Sequence, residues 1–186
     1  MRCGRPAPMS TTLRSHSSSL HAPAAPLLYN DGMVWKPDVT VAAVIEREGR
    51  FLLVEERIRG RRVLNQPAGH LEDGESLIDA VIRETLEETT WHFQPQWLIG
   101  TYLWRSPSSG DSTLRFAFTG AGAGPVPDRK LDRVIIATRW LTHEQILAEQ
   151  SRLRSPVVLR CVNDYLAGQR LPLTAVTSMA SSLMTP

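Results

Sequence analysis

The chain is poor in cysteine and has no long apolar run. Its two cysteines, Cys3 and Cys161, are too few for a disulfide framework, and low cysteine usage is typical of a reducing compartment. We therefore expect a cytoplasmic location. No apolar run approaches the roughly 20 residues that a membrane-spanning helix needs, so we expect no membrane partner.

A strong charge of one sign is also missing. The formal net charge is +2, and the excess lies in residues 1–32, where Arg2, Arg5 and Arg14 face a single acid, Asp31. The rest of the chain carries equal numbers of basic and acidic residues. Nucleic-acid-binding domains usually present a basic face, so we expect a small-molecule partner and no nucleic acid.

Composition divides the chain into three parts. Residues 1–32 are rich in Ser, Pro and Ala without apolar periodicity, which predicts a disordered N-terminal extension. This segment has the low acid content of a transit peptide, and an extension upstream of a start at Met33 is the alternative. Residues 33–174 are expected to form one domain, and residues 175–186 a flexible tail.

Apolar patterning predicts strands on both sides of a helix. Residues 39–45 and 51–55 flank a turn at Glu48-Gly49, which indicates a hairpin. Further strands are expected at 96–104, 113–119 and 134–140, with loops at 57–62, 106–112 and 120–127. Ser76 with Asp79, and Thr142 with Gln145, are typical of helix starts. Pro156 and Gly168 bound another helix, and this order predicts an α/β fold with α/β/α layers.

Acidic residues crowd the stretch from Gly69 to Glu88, where seven acids stand against one base, Arg83. Glu84, Glu87 and Glu88 are spaced i, i+3, i+4 and therefore share one face of a helix. Carboxylates so placed repel one another unless a cation lies among them. Mg²⁺, with Mn²⁺ as the alternative, takes such oxygen ligands together with substrate phosphates.

This stretch resembles the Nudix box, Gly-x5-Glu-x7-Arg-Glu-x2-Glu-Glu. Six residues fill its fixed positions in register: Gly69, Glu75, Arg83, Glu84, Glu87 and Glu88. Two positions depart from the family pattern, because Thr85 replaces an aliphatic residue and Thr90 replaces a glycine. That glycine normally supplies a left-handed helix end, for which a β-branched residue is poorly suited. We therefore expect the helix to end in another way.

The resemblance extends from Met33 to Leu173 and is similar to the NudJ-like phosphatase branch of the family. It is carried by Lys36-Pro37, residues 39–42, 65–72, 153–156, 168–170 and Pro172-Leu173. It implies a Nudix-type α/β/α sandwich with a mixed sheet. It also implies hydrolysis of nucleoside di- and triphosphates or of the pyrophosphate of hydroxymethylpyrimidine. Oxidised nucleoside triphosphates, RNA 5′ ends and nucleotide sensing without turnover are alternatives.

The resemblance also implies roles for the box residues. The metal ligands would be Glu84, Glu87 and Glu88 with the carbonyl oxygen of Gly69, and Glu84 or Glu88 would take the proton of the attacking water. Arg83 would orient a glutamate through a bidentate contact, supported by Glu75. A purely structural Glu75–Arg83 salt bridge is the alternative.

Substrate contacts are expected outside the box. Arg57, Arg59, Arg61 and Arg62 either grip phosphates or form a solvated charge run. His70 could reach a phosphate or be an ordinary loop residue, and the resemblance implies that Asp132 could contact metal or act as base. Asn65 and Gln66 either bind a base edge or hold their loop. Four aromatic residues could stack on a ring near Arg115 or belong to the core: Trp35, Tyr102, Trp104 and Phe116. Monomer and homodimer both remain open.

Overall fold

The computed structural model describes Met1 and residues 35–179, so the predicted extension at 1–32 and residues 180–186 of the predicted tail lie outside the described residues. The described part contains eight strands and three α-helices. The strands are β1 Asp38–Val44, β2 Glu46–Arg47, β3 Arg50–Ile58, β4 Arg61–Asn65, β5 Ala68–His70, β6 His92–Arg105, β7 Ser112–Ala123 and β8 Ile135–Thr142. The helices are α1 Leu77–Thr89, α2 His143–Ala148 and α3 Pro156–Leu166.

The strands form two four-stranded sheets. The first has the order β5-β1-β7-β6 and is mixed, since β1 pairs parallel with β7 while the other pairs are antiparallel. The second joins β2, β3 and β4, with β8 also paired to β3, and is antiparallel. Thr40 of β1 pairs with His70 on one side and with Arg115 on the other, so these three side chains lie in one row across the first sheet.

Helices cover both faces of this arrangement, which confirms the α/β/α layers. Alternate residues of a strand face opposite sides, and in β1 Val41 and Ala43 pack with α1, whereas Val44 packs with α3. One core cluster includes Ala80, Val81, Leu52 and Phe118. The other includes Leu53, Ile146, Val158 and Val162. Among the helices of residues 35–179, none has both the length and the apolar character to span a bilayer.

The predicted hairpin at Glu48-Gly49 is correct only at its turn. Both residues have positive φ, 54° and 75°, as tight hairpin turns require, and β2 pairs with β3 across them. The preceding strand β1, however, pairs in the first sheet. The predicted loop at 57–62 is wrong, because β3 and β4 continue through it and pair Arg57 with Arg62 around a turn at Arg59-Gly60.

The loop predicted at 120–127 is also shorter than expected. β7 continues to Ala123 because its Gly- and Ala-rich end pairs with His92, Phe93 and Gln94 of β6. Gly120 permits this pairing, since a Cβ atom there would overlap the carbonyl oxygen of Gln94. Low strand propensity is overridden here by a paired neighbour.

Helix α1 begins as predicted, and it ends with a residue in the left-handed conformation, as in the family pattern. The hydroxyl of Ser76 accepts a hydrogen bond from the Asp79 amide. The expectation of a different ending is wrong, because Thr90 itself adopts the left-handed conformation, with φ 61°, and its amide donates to Leu86 O. The neighbouring Val126 amide also donates to Thr90 O at 2.8 Å. These bonds offset a backbone cost on the order of 1–3 kcal/mol.

The other two helices follow their sequence signals. Thr142 and Gln145 form a reciprocal capping box at the start of α2. Pro156 occupies the first turn of α3, and Gly168, with φ 80°, follows its end. Residues 173–175, where the predicted tail begins, form a short 3₁₀ turn.

Candidate active site

A cleft with a volume of ≈ 770 Å³ gathers most of the predicted site residues. Acidic side chains from α1 and β3 line it together with basic and aromatic side chains from β6, β7 and the segment before α3. The residues relevant to function are Thr40, Glu56, Arg59, Arg61, Asn65, Gly69, His70, Glu84, Glu88, Tyr102, Trp104, Arg115 and Arg154.

Gly69 lies directly beneath the carboxyl group of Glu84. A Cβ atom at position 69 would overlap the Glu84 carboxyl carbon and both of its oxygens. The φ of Gly69 lies outside the left-handed region, so the requirement for glycine is one of space. Burial raises the pKa of Glu84, against the opposing effect of its hydrogen bond from Arg83.

Glu88 is held deeper in the same wall. It is buried, and its Oε2 atom accepts a hydrogen bond from the Ala68 amide at 2.8 Å. Burial, reinforced by the charges of Glu56, Glu84 and Asp132, raises the pKa of Glu88 to about 8. A carboxyl group in this environment lacks the positive charge that would stabilise its ionised form.

Arg83 ties the acidic residues of the box together. Its Nε and Nη2 atoms donate to the two oxygens of Glu75 at 3.1 and 2.7 Å, a bidentate pair. Its Nη1 atom donates to Glu84 at 2.7 Å and to Glu87 at 3.3 Å, and Nη2 also donates to His70 O. The hydrogen bond from Arg83 lowers the pKa of Glu75. The predicted contact between Arg83 and a glutamate is therefore present, and Glu75 anchors the guanidinium.

Glu87 differs from its two neighbours, although it shares their helix face. Its side chain is 41% exposed, and it lies outside the cleft lining. Within residues 35–179, no three His, Cys, Asp or Glu side chains already form a coordination group, and Arg83 contacts the carboxylates of both Glu84 and Glu87. The predicted ligand set is therefore close together but is not arranged around one point.

The cleft nevertheless has the chemistry that a hard cation requires. Glu84 and Glu88 are carboxylates with raised pKa values, and Glu56 also lines the cleft, buried and with no hydrogen-bond partner for its Oε1 atom among the described residues. Carboxylate oxygens are the ligands that a divalent ion such as Mg²⁺ takes. The donor set of the cleft therefore fits a metal ion in its chemistry.

Glu56 is the acid that sequence reasoning missed. It lies in β3, 7% exposed, and lines the cleft. Burial raises its pKa, while Arg154, whose Nη1 atom lies 3.7 Å away, lowers it. The sequence feature that could have identified it is a pair of adjacent glutamates at the end of an apolar strand. Successive side chains of a strand point to opposite faces, so one glutamate of the pair must point toward each face of the sheet.

The other member of that pair, Glu55, lies on the opposite face with Arg62. Its carboxylate forms ion pairs with Arg139, with Arg152 at 2.9 Å and with Arg62 at 3.7 Å. Arg57 is directly opposite Arg62 in the hairpin and so shares that face. Arg57 and Arg62 do not line the cleft, contrary to the predicted phosphate contact, whereas Arg59 and Arg61 do.

The amide side chains of Asn65 and Gln66 hold Arg115. Its Nη1 atom donates to Asn65 Oδ1 and to Gln66 Oε1, each at 3.3 Å. Gln66 is 1% exposed and lies outside the cleft lining, and its Nε2 atom donates to Val158 O in α3 at 2.7 Å. Gln66 is therefore placed to hold its loop, while Asn65 and Arg115 reach the cleft.

Only two of the four candidate aromatic residues reach the cleft. Tyr102 and Trp104 line it, with the Tyr102 hydroxyl donating to Asp164 at 2.8 Å. Phe116 packs against the core, and Trp35 is 63% exposed and outside the lining. His70 lines the cleft. Asp132 is exposed and outside the lining, yet its amide donates to Glu87 O and its charge acts on Glu88.

The chain is similar to known proteins over most of its length. Residues 35–160 match the NUDIX domain, which is more than half of the chain. Phosphatase NudJ of Escherichia coli strain K12 is 44% identical over 145 residues, covering 77% of this chain and 92% of that protein, and the Shigella flexneri protein of the same name matches equally. A solved NUDIX hydrolase from Nitrosomonas europaea is 49% identical with a TM-score of 0.77, covering 79% of this chain and all of that one.

Nudix hydrolases generally need a divalent metal ion, in agreement with the donor set of the cleft. The box residues, the mixed sheet between helices and these similarities agree with one another. The chain belongs to the Nudix family of hydrolases, which act on phosphoanhydride bonds.

Proposed function

We propose that this chain is a magnesium-dependent phosphatase of small nucleoside di- and triphosphates, or of the pyrophosphate of hydroxymethylpyrimidine. One observation carries the proposal: a single cleft joins the carboxylates of Glu84 and Glu88 to the guanidinium groups of Arg59, Arg61 and Arg115. The carboxylates suit a cation, and the guanidinium groups suit phosphate. The name of the E. coli relative, Phosphatase NudJ, supports release of phosphate.

In this proposal the cation is held by Glu84, Glu88 and the Gly69 carbonyl oxygen, with Glu87 at the rim. When bound, a divalent ion neutralises phosphate charge and lowers the pKa of bound water. Glu84 or Glu88 takes the proton from the attacking water, since both carboxyl groups line the cleft. Arg83 holds Glu84 in position through the hydrogen bond at 2.7 Å, and Glu75 fixes Arg83 from the other side.

The arginines of the hairpin and of β7 bind the rest of the substrate. Arg59 and Arg61 lie at or beside the β3–β4 turn and are exposed, so they can reach phosphates that enter from solvent. Arg115 is buried and can act only on a group that penetrates the cleft.

The test measures phosphate release from a set of nucleotides and from the pyrimidine pyrophosphate, with magnesium, with manganese and with a chelator. We expect activity with metal and none with chelator. Glu84→Gln and Glu88→Gln should each lower kcat by about 10²-fold or more, because removal of a general base or ligand has this order of effect. Glu144→Gln, at an exposed residue of α2, is the matched control.

Thermal unfolding accompanies each variant to show that it folds. Retention of full activity by both cleft variants would contradict the assignment. Metal-independent hydrolysis would contradict the role of the carboxylates.

A further inference from the structure

The first turn of α3 borders the cleft beside residues that the proposed metal site does not use. Arg154, Ser155 and Val157 line the cleft. The first amides of a helix have no acceptor within the helix, and together with the helix dipole they attract anions. Pro156 has no N–H group and the Val158 amide donates to Ser155 O. Val157 therefore carries the first amide of α3 that can donate to a group in the cleft.

Two buried polar atoms in the same cleft lack partners. Thr40 and Glu56 are 8% and 7% exposed, and both line the cleft. Thr40 Oγ1 and Glu56 Oε1 have no hydrogen-bond partner among the described residues. Unpaired polar groups in the interior destabilise a fold. This observation is independent of the helix, and it points to a ligand that supplies the missing bonds.

Arg115 connects the unpaired hydroxyl to α3. It is the direct strand neighbour of Thr40, so the two side chains point to the same face of the sheet. Gln66 accepts from Arg115 Nη1 and donates to Val158 O in the first turn of α3. Within residues 35–179, the hydrogen bonds of Arg115 run only through Nη1. The Nε and Nη2 atoms of this buried guanidinium are therefore available to a molecule in the cleft.

Arg154 brings a second guanidinium group to the same wall. Its Nη1 atom lies 3.7 Å from Glu56 Oε1, which is beyond the reach of a good hydrogen bond. Burial and, to a lesser extent, the charge of Arg154 lower the pKa of Arg115, so the two cations act on each other. Like charges at one site are unfavourable unless an opposite charge lies among them. The pair of guanidinium groups therefore suits an anion.

The donors of this wall favour a phosphoryl group over a single carbonyl oxygen or ring nitrogen. Glu56 opposes an anion, but it is one carboxyl group against two guanidinium groups, and Arg154 lies close enough to offset its charge. Guanidinium forks and helix amides are donors that bind phosphoryl oxygens in proteins. A terminal phosphate has more non-bridging oxygens than an internal one and can therefore accept from more of these donors.

We propose that Arg115, Arg154 and the first turn of α3 form a phosphoryl subsite that holds the terminal phosphate of the substrate without help from the metal ion. The Thr40 hydroxyl and the Val157 amide donate to the same phosphate. This inference rests on the proposed function, and it adds the residues that select a phosphate end group. Orthophosphate, the released product, binds in the same subsite.

The test measures the binding of inorganic phosphate by isothermal titration calorimetry, in excess chelator and at constant ionic strength. Without metal, saturable binding must come from the chain itself, and we expect one phosphate per chain. Arg154→Gln should raise the dissociation constant about tenfold to hundredfold, because a hydrogen bond to a charged group has this order of effect. The Arg154 side chain is 42% exposed, so this variant should fold.

Thr40→Val tests the buried hydroxyl while it keeps the branched shape of the side chain. Because Thr40 Oγ1 has no partner among the described residues, its removal should leave the urea midpoint equal to that of the wild type or higher. The dissociation constant for phosphate should nevertheless rise about threefold to tenfold. A hydroxyl with a purely structural role would give the reverse result, with a lower midpoint and unchanged phosphate affinity.

Arg160→Gln is the matched control. Arg160 lies on the same helix and carries the same charge as Arg154, but it pairs with Asp164 at 2.8 Å and lies outside the cleft lining. This variant should keep the wild-type affinity for phosphate. A loss equal to that of Arg154→Gln would show only an effect of net charge and would overturn the inference.

A kinetic measurement with magnesium connects the subsite to the substrate. Orthophosphate should inhibit hydrolysis competitively with the nucleotide. Arg154→Gln should raise KM and the inhibition constant by about the same factor as the dissociation constant, with a much smaller effect on kcat. Inhibition that is not competitive would contradict a shared subsite.

The inference is also wrong if phosphate does not bind saturably in chelator, or if Arg154→Gln or Thr40→Val leaves its affinity unchanged. These results differ from a failure of the proposed function. Metal-free binding of phosphate with the expected variant effects, in a chain that hydrolyses no nucleotide, would support the subsite and contradict the activity. Magnesium-dependent hydrolysis without metal-free binding of phosphate would support the activity and overturn the subsite.

Discussion

Replacement of Gly69 by alanine should lower the activity and leave the stability of the fold nearly unchanged. The added Cβ would overlap the Glu84 carboxyl group, which must move on the order of 1.5 Å to recover ordinary contact distances. Misplacement of a reacting group by about 1 Å can lower the rate about 10²-fold, equivalent to about 2.7 kcal/mol. We therefore expect kcat/KM in Gly69→Ala to fall by about this factor.

Stability should change little in the same variant. The backbone of Gly69 lies outside the left-handed region, so alanine is allowed there and should gain about 0.4–1 kcal/mol by restricting the unfolded chain. Displacement of Glu84 weakens its 2.7 Å hydrogen bond with Arg83. This loss lowers the free energy of unfolding by about 1 kcal/mol and cancels the gain. The urea midpoint should therefore remain close to that of the wild type.

Gly49→Ala is the matched control, because Gly49 has φ 75°, has open space around its Cα and lies outside the cleft lining. It should lose about 1–2 kcal/mol of stability and retain wild-type kcat/KM. The reasoning is refuted if Gly69→Ala keeps kcat/KM within about threefold of the wild type, or if its activity falls only in proportion to unfolding.

Two further predictions concern stability. Glu55→Gln should lower the free energy of unfolding at neutral pH by about 2–3 kcal/mol, because it leaves three partly exposed arginines without their buried partner. Burial raises the pKa of Glu55, but the hydrogen bond and charge of Arg139 and the charges of Arg152 and Arg62 outweigh it, so that the folded pKa lies below the ordinary value of 4.5. The stabilisation is therefore complete above that value and disappears as pH falls through the folded pKa. Urea titrations of wild type and variant should accordingly converge in acid, and a difference that persists there would show another cause. Tyr102→Phe removes the 2.8 Å hydrogen bond to Asp164 and should cost about 1.5 kcal/mol in urea unfolding; an unchanged midpoint would show that solvent replaces the bond.

The sequence was sufficient where spacing along one element determines the contact. Glu84 and Glu88 are one helical turn apart, so their shared position in the cleft follows from helix geometry. The cap at Ser76 follows from local hydrogen bonding in the same way.

The sequence was insufficient where the position of a side chain depends on a partner that is distant in the sequence. Glu56 of β3 and Arg115 of β7 line one cleft although their strands belong to different sheets, and no local sequence pattern shows this. The segment from Arg57 to Arg62 is predicted to be a loop because its many arginines obscure the alternation of apolar and polar residues that identifies a strand. Thr90 shows the same limit, because bonds from the remainder of the fold hold a residue in a conformation that its own preference opposes.

The contact of Gln66 with two partners has a consequence for altering substrate choice. One end of this amide accepts from Arg115, and the other donates to the first turn of α3 at Val158. A shift of that helix would therefore move a guanidinium in the cleft. Libraries that aim to change which nucleotide is cleaved should include the buried side chains of α3 beside the residues that line the cleft.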